Sequence, residues 1–137
     1  MEIKLEQVTN LEQFNGDGTW KVFLFRSYDS DKYIGEICVE KVIASKLEPL
    51  LSDEFFFQDG KAIPYVTHIM VMPEYKGRKI AGKLVEFVNN YFKEHDEISL
   101  HSGVLNSVNA VRVWEKLVEE EKAEEIEYQG KRRWKLF

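Results

Sequence analysis

The segment around Pro73 constrains the fold more than any other part of the chain. Before it, residues 62–72 (AIPYVTHIMVM) are apolar at both alternating positions, which is typical of a central strand covered on both faces. After it, residues 78–94 repeat apolar side chains at helical spacing, so that one face is apolar. We therefore predict a central strand that ends at Pro73, a short turn, and an amphipathic helix that packs on the sheet.

Shorter strand and helix signals flank this unit. Residues 20–26 (WKVFLFR) and 33–39 (YIGEICV) are rich in aromatic and β-branched side chains and predict a hairpin. A second helix is predicted to start at Asn106 or Ser107, either of which can cap it. Further strands are predicted at residues 2–8, at 98–104 and on both sides of a turn at Gln129 and Gly130. Residues 42–60 predict a short helix broken near Pro49 and then an apolar segment whose role is open.

The composition favours a single domain that spans residues 1–137. The 24 acidic and 19 basic residues give a net charge of −5, and 44% of the residues are hydrophobic, enough for a core without disulfides or metal. No apolar run approaches the roughly 20 residues that span a bilayer, and the N-terminus does not resemble a secretory signal. The single Cys38 excludes a cysteine-based metal cluster and is expected to be a buried structural thiol. We expect a cytoplasmic protein with no metal site.

Two basic clusters stand out against the acidic average. The first lies at the predicted start of the helix, where unpaired backbone N–H groups, the helix dipole and nearby glycines favour an anion such as phosphate. The alternative is that Gly77 only makes a turn and the lysines are solvated at a helix end. The second cluster is expected on the solvated face of an edge strand. The first comprises Lys76, Arg78, Lys79 and Lys83, and the second comprises Lys131, Arg132, Arg133 and Lys135.

The first cluster also contains a near-match to the nucleotide-binding P-loop. Residues 77–83 (GRKIAGK) have the glycine and lysine spacing of that motif. Leu84, however, stands where a Ser or Thr hydroxyl must bind magnesium, and residues 80–84 already belong to the helix pattern. We therefore exclude a P-loop.

The same segment resembles the signature of the GNAT superfamily of acyl-CoA-dependent N-acetyltransferases. That signature is an apolar strand, V-x-P-x-Y-R-G, and a Q/R-x-x-G-x-G/A turn into a helix. Residues 71–81 read VMPEYKGRKIA, with Lys76 in place of the usual Arg or Gln and Lys79 in place of the first motif glycine. Residues 106–117 (NSVNAVRVWEKL) resemble the second motif, N-x-x-A-x-x-x-Y-E-K-L, with Ser107 at the asparagine and Trp114 at the tyrosine. The resemblance covers about residues 20–137.

The resemblance implies an α/β (α+β) fold: a mixed, mostly antiparallel central sheet with splayed central strands and flanking helices. The N-terminal helices usual in the family would be shortened to about residues 10–15. The resemblance also implies acetyl-CoA as acyl donor, with its pantetheine arm along the central strand, its pyrophosphate on the turn, and a backbone N–H near Val71 that stabilises the oxyanion. The implied cofactor-binding residues are Ile69, Met70, Val71, Lys76, Gly77, Arg78, Lys79, Ile80, Ala81, Gly82, Asn106, Ser107 and Asn109.

Acetyl transfer to an amine requires that a proton be removed. An alkylamine with a pKa near 10.4 is neutral in only roughly one molecule in 2,500 at pH 7. The candidate bases are His68, Glu74 and His101, and His101 is the first choice because its strand would flank the cleft. A packing role is the alternative for each histidine. Trp114 stands where many family members use a tyrosine to help the thiolate leave, and a thiol with a pKa near 8.5 can leave without a dedicated acid.

The expected function is therefore an enzyme, an N-acetyltransferase that moves the acetyl group of acetyl-CoA to a primary amine by direct attack in a ternary complex. One alternative is a catalytically weak or inactive module that keeps this fold and binds CoA, suggested by Trp114 and Lys79. Nucleic-acid binding through the basic clusters is a further alternative, which the negative net charge argues against. The acceptor is open between small amines and peptide amines, and a homodimer through the final strands is an open expectation.

Overall fold

The computed structural model describes residues 1–13, 18–42, 56–58, 60–103, 107–128 and 130–137. Within these ranges the chain forms nine strands and two α-helices. The strands are β1 (Glu2–Gln13), β2 (Gly18–Asp29), β3 (Lys32–Val42), β4 (Phe57–Gln58), β5 (Lys61–Ala62), β6 (Tyr65–Val71), β7 (His101–Ser102), β8 (Ala123–Tyr128) and β9 (Lys131–Leu136). The helices are α1 (Ile80–Asp96) and α2 (Val108–Glu119), and a 3-10 turn covers Pro73–Tyr75.

Seven of the strands form one mixed sheet. Its order is β1-β2-β3-β6-β7-β9-β8, and every neighbouring pair is antiparallel except β6 and β7, which are parallel. Strands β4 and β5 form a separate two-stranded sheet. The predicted hairpin of β2 and β3 and the predicted final hairpin of β8 and β9 are both confirmed. The mixed, mostly antiparallel sheet with flanking helices is the predicted fold class.

The core lies between α1 and one face of this sheet. Apolar side chains of α1 recur at helical spacing and are buried against β2 and β3, as the sequence pattern predicts. Phe92 shows this packing: its ring meets Phe23 edge-to-face at 5.1 Å between centroids. The second helix adds Trp114 and Leu117 to the same core. In the described part of the chain, no helix is long and apolar enough to cross a membrane.

The two central strands separate shortly after they meet. Strands β6 and β7 pair only at Tyr65 with His101 and at Val66 with Ser102, and the N–H of Gly103 donates to the carbonyl of Val66 at 2.9 Å. A Cβ atom at Gly103 would lie 2.6 Å from that carbonyl oxygen, so only glycine permits this close approach. Beyond this point β6 continues to Val71 while β7 has ended, which opens a V between the strands.

This separation corrects the prediction that the central strand is covered on both faces. Tyr65 and Val66 are buried, but Thr67, His68 and Met70 are exposed. The apolar sequence of residues 62–72 does not show that the neighbouring strand ends early. The predicted strand at 98–104 is likewise shorter, since only His101 and Ser102 are in β7 and residue 104 lies outside the described residues.

Three other expectations are also corrected. Residues 10–13, expected in a short helix, belong to β1 and pair with β2, while residues 14 and 15 lie outside the described residues. The second basic cluster is not on an edge strand, because β9 lies between β7 and β8. Cys38 is half-buried rather than buried, and its partial burial raises the pKa of the thiol above its usual value. The helix predicted near Pro49 lies outside the described residues.

Candidate active site

A cleft of about 970 Å³ lies beside β6, along the part of this strand that extends beyond its pairing with β7. Residues 66–71 of β6 form one wall, α2 forms another along its whole length, and the turn before α1 with the first turns of that helix completes the lining. The cleft residues that the sequence predicts as binding residues are Ile69, Met70, Val71, Lys76, Gly77, Lys79, Ile80, Ala81, Gly82, Ser107 and Asn109. His68 and Trp114, two of the predicted catalytic residues, also line it.

The turn into α1 presents backbone donors and cations to the cleft. Gly77 has a φ of 83°, a conformation that glycine adopts readily. Lys79, the residue before the helix, also has a left-handed φ of 61° and makes no side-chain cap. The first N–H groups of an α-helix have no carbonyl partner within the helix, and the positive end of its dipole lies there. With Lys76 and Lys83 beside it, this end of the cleft suits an anion.

Tyr75 holds this turn against the rest of the sheet. Its hydroxyl donates to Asp29 Oδ2 at 3.1 Å, which ties the turn to the end of β2. The Arg78 guanidinium lies 4.7 Å from the centroid of the Tyr75 ring, and the Lys32 ammonium lies 5.2 Å from it. Arg78, predicted as a binding residue, therefore stacks on Tyr75 and does not line the cleft. Tyr75 is not among the site residues predicted from the sequence, although the tyrosine of V-x-P-x-Y is a signal for it.

His68 lies on the exposed half of β6 beside a carboxylate. Its Nε2 is 3.6 Å from Glu36 Oε2 on the adjacent strand β3. Glu36 is mostly buried and also accepts a 2.5 Å hydrogen bond from the Tyr33 hydroxyl. Burial and this hydrogen bond raise the pKa of Tyr33 to about 12, so the tyrosine remains a donor. A carboxylate fixed in this way can orient the imidazole beside it.

The β3 and β6 ladder contains an irregularity next to His68. Cys38 pairs with His68 while the next residue of β3, Val39, pairs with Val66, so Thr67 is an extra residue in β6. Such a bulge changes the face to which the following side chains point. Ile69 and Val71 consequently pack against the core, as Val66 does before the bulge.

His101 lies outside the cleft lining. It is 4% exposed, and its Nδ1 is 3.0 Å from the carbonyl oxygen of Ser99. Burial lowers the pKa of His101 to about 4, so the imidazole is neutral at pH 7. Its position gives no support to the base role expected for it. Glu74, the third candidate base, is exposed in the 3-10 turn and also lies outside the cleft lining.

The wall formed by α2 combines a capped helix start with a buried indole. The Ser107 hydroxyl accepts from the N–H of Ala110 at 3.1 Å, which confirms Ser107 as the cap of this helix. Trp114 is fully buried, and its Nε1–H has no hydrogen-bond partner among the described residues. Val113 and Lys116 also line the cleft, and helical spacing from Asn109 could have indicated both. Asn106 lies outside the described residues.

These features fit a long anionic ligand with a neutral arm. The phosphate end would meet the start of α1 and the lysines around it, and the arm would lie along β6. Beyond Val66, the edge of β6 that faces away from β3 has no strand partner among the described residues, so its main-chain groups are available to such an arm. The orphan Trp114 N–H adds a buried donor in the wall formed by α2.

A mixed sheet whose central parallel strands splay beside an uncapped helix start places the protein in the class of CoA-dependent acyltransferase folds. The family model described as Acetyltransferase (GNAT) domain matches residues 56–130, more than half of the chain. The chain therefore belongs to the GNAT acetyltransferase family. Membership supports acyltransferase activity and acyl-CoA binding. No curated protein matches the sequence.

Proposed function

We propose that this protein transfers the acetyl group of acetyl-CoA to a primary amine by direct attack in a ternary complex. The observation that carries the proposal is the cleft itself, which brings together His68, the cationic start of α1 and the edge of β6 that no described strand pairs with beyond Val66. Acetyl-CoA supplies an activated acyl group as a thioester. The chain binds it, orients it against β6 and removes a proton from the acceptor.

The proposed binding residues follow from the cleft lining. Backbone N–H groups at the start of α1, with Lys76, Lys79 and Lys83, hold the pyrophosphate. The main chain of residues 69–71 pairs with the pantetheine arm, and a main-chain N–H near Val71 faces the reacting carbonyl oxygen. Asn109 lines the α2 side of the same cleft.

His68 is the proposed base. It is the predicted histidine that lines the cleft, and Glu36 Oε2, 3.6 Å from Nε2, orients the imidazole that accepts the proton of the amine. Glu36 in turn is positioned by Tyr33. The carboxylate beside His68 also favours an acceptor that arrives as an ammonium ion, since opposite charges attract in a partly buried site.

The test measures acetyl-CoA binding by calorimetry and thiol release with a panel of primary amines, after subtraction of the signal from Cys38. His68→Gln is expected to lower kcat about 100-fold while the Kd for acetyl-CoA changes less than about threefold. His95→Gln is the matched control, because His95 is an exposed histidine on α1 outside the cleft lining. Micromolar binding without thiol release on any amine would favour the inactive CoA-binding module. Absence of binding at millimolar acetyl-CoA would overturn the proposal.

A further inference from the structure

Strand β3 presents polar side chains on the face of the sheet that lies away from α1. The side chains of Glu36, Cys38 and Glu40 share this face, while the residues that alternate with them are buried in the core. Cys38 pairs with His68 of β6. Burial raises the pKa of the Cys38 thiol, and the charges of Glu36 and Glu40 raise it further. The two carboxylates therefore flank, on the neighbouring strand, the position that faces His68.

These two carboxylates differ in the charges around them. Glu36 Oε1 is 3.6 Å from Arg26 Nε, and Glu36 Oε2 is 3.6 Å from His68 Nε2. No lysine, arginine or histidine among the described residues forms an ion pair with Glu40. Burial raises the pKa of the Glu40 carboxyl, and a hydrogen bond from the Tyr65 hydroxyl opposes part of that rise. A partly buried carboxylate with no cation beside it is unfavourable, and a cationic ligand would relieve it.

The carboxylate of Glu40 is also held in place by its surroundings. The Tyr65 hydroxyl that contacts it accepts a hydrogen bond from Trp20 Nε1 at 2.8 Å. Burial raises the pKa of Tyr65 to about 12, so the hydroxyl keeps its proton and remains a donor. The Glu40 charge therefore has a defined position relative to His68, as a binding group requires.

The spacing between Glu40 and His68 sets the size of the ligand. Glu40 lies two residues along β3 from Cys38, the partner of His68, and Cα atoms in this diagonal relation are about 7–8 Å apart. We propose that the acceptor is a small diamine, whose reacting amine lies at His68 and whose second ammonium group pairs with Glu40. This inference rests on the proposed function. A chain of four to six carbons separates two amines by about this distance.

Only one of the two amines takes part in the chemistry. The amine at His68 forms a bond to the acyl carbon, the carbon–sulfur bond breaks, and its electron pair remains on sulfur. The proton of this amine goes to His68. The second amine keeps its proton and its charge throughout, so Glu40 contributes to binding and to the choice of acceptor.

The test compares two acceptors that differ only in the second charge. Cadaverine has an amine at each end of a five-carbon chain, and in aminopentanol a hydroxyl replaces one amine. With saturating acetyl-CoA, kcat/KM for cadaverine measured by thiol release should exceed that for aminopentanol about 30-fold. Ethylenediamine, whose second ammonium group is too close to the first to reach Glu40, should gain no such preference over ethanolamine.

Two matched variants locate the preference. Glu40→Gln removes the charge but keeps an oxygen that can accept from Tyr65, and it should raise KM for cadaverine about 30-fold while kcat changes less than about threefold. Glu6→Gln is the control, because the Tyr28 hydroxyl donates to Glu6 at 2.6 Å but β2 and β3 separate its strand from β6. This control should leave the preference for cadaverine unchanged.

A merely structural role for Glu40 would lower the rates with cadaverine and aminopentanol equally, and that result would overturn the proposal. Should Glu40→Gln fail to fold, the wild-type comparison decides, because a preference that depends on charge must shrink as the salt concentration rises.

The outcomes separate this inference from the proposed function. Equal kcat/KM for cadaverine and aminopentanol, or a preference that Glu40→Gln leaves unchanged, would overturn the diamine proposal while the proposed transferase remains. If acetyl-CoA does not bind at millimolar concentration, or no amine releases thiol, the proposed function fails and this inference fails with it.

Discussion

Both helices begin at the cleft, but they differ in whether a side chain of the protein caps the backbone N–H groups of the first turn. In α2 the hydroxyl of Ser107 accepts from the N–H of Ala110, so part of the helix start is satisfied by the chain itself. In α1 the corresponding residue is Lys79, which has a left-handed φ of 61° and makes no side-chain cap. No acidic residue lies in the first turn of either helix.

This difference indicates which helix start is available for a ligand. The N–H groups of residues 80–82 precede the first helical bond of α1, which runs from Lys83 N to Lys79 O. Lys76, Lys79 and Lys83 line the cleft around them. A helix start that is partly satisfied by its own cap gains less from an anion, whereas an uncapped helix beside three lysines gains both hydrogen bonds and charge neutralisation. We therefore expect α1 to serve binding and Ser107 to serve stability.

The largest effect is expected when a carboxylate is placed at the third position of each helix. Gly82→Glu has room, since a Cβ there meets nothing within 4 Å, and its charge repels an anion at the start of α1. Charged hydrogen bonds contribute about 1.5–3 kcal/mol, so acetyl-CoA binding should weaken about 100-fold by calorimetry. Ala110→Glu is the matched change in α2, where the new carboxylate forms a capping box with Ser107. This variant should weaken acetyl-CoA binding less than tenfold. Equal losses from both variants would contradict the comparison.

The next effect concerns the cations of α1. Replacing both Lys79 and Lys83 by Gln is expected to weaken acetyl-CoA binding about tenfold at low salt and to flatten its salt dependence, because exposed charges are screened within about 10 Å at 0.1 M. Lys116→Gln is the control, since Lys116 lines the cleft from α2. Calorimetry at two salt concentrations measures the difference. A salt slope that the double variant leaves unchanged would show that phosphates do not meet these lysines.

A smaller effect is expected for the cap itself. Ser107→Ala removes the hydrogen bond to Ala110 and should lower the free energy of unfolding by about 1 kcal/mol in a urea titration. The Kd for acetyl-CoA should stay within about threefold. A tenfold rise in Kd with unchanged stability would instead assign Ser107 to the ligand, as the family resemblance implies. Ser107→Asn, which preserves a capping oxygen, should restore the lost stability.

The sequence predicts the parts of this molecule that depend on neighbouring residues along the chain. The apolar spacing of α1, the cap at Ser107 and the two hairpins are local patterns, and each is present in the structure. The basic turn is local as well, which is why most of the predicted binding residues line one cleft.

The sequence does not predict features that depend on strand pairing. His68 and His101 both occur in the central strands of the sheet. Only strand pairing decides that His68 is exposed beside Glu36 and that His101 is buried. The extra residue Thr67 in β6 shifts the alternation of side chains, and nothing in residues 62–72 indicates it. The early end of β7 at Ser102, which opens the cleft, is equally invisible in the apolar pattern.

The smallest expected effect tests the strain at the start of α1. Lys79 occupies a left-handed conformation that costs an L-residue about 1–2 kcal/mol and that glycine adopts without this cost. Glycine, however, lowers the free energy of unfolding by about 0.4–1 kcal/mol because its unfolded chain has more conformational freedom. Lys79→Gly should therefore raise the free energy of unfolding by about 0.5–1 kcal/mol in a urea titration, and Lys76→Gly, at an extended residue, should lower it. Acetyl-CoA binding should weaken only about threefold from the lost charge. A Lys79→Gly variant that is less stable than wild type would show that the lysine side chain, and not the backbone, determines this turn, and the uncapped start of α1 would then need a different explanation.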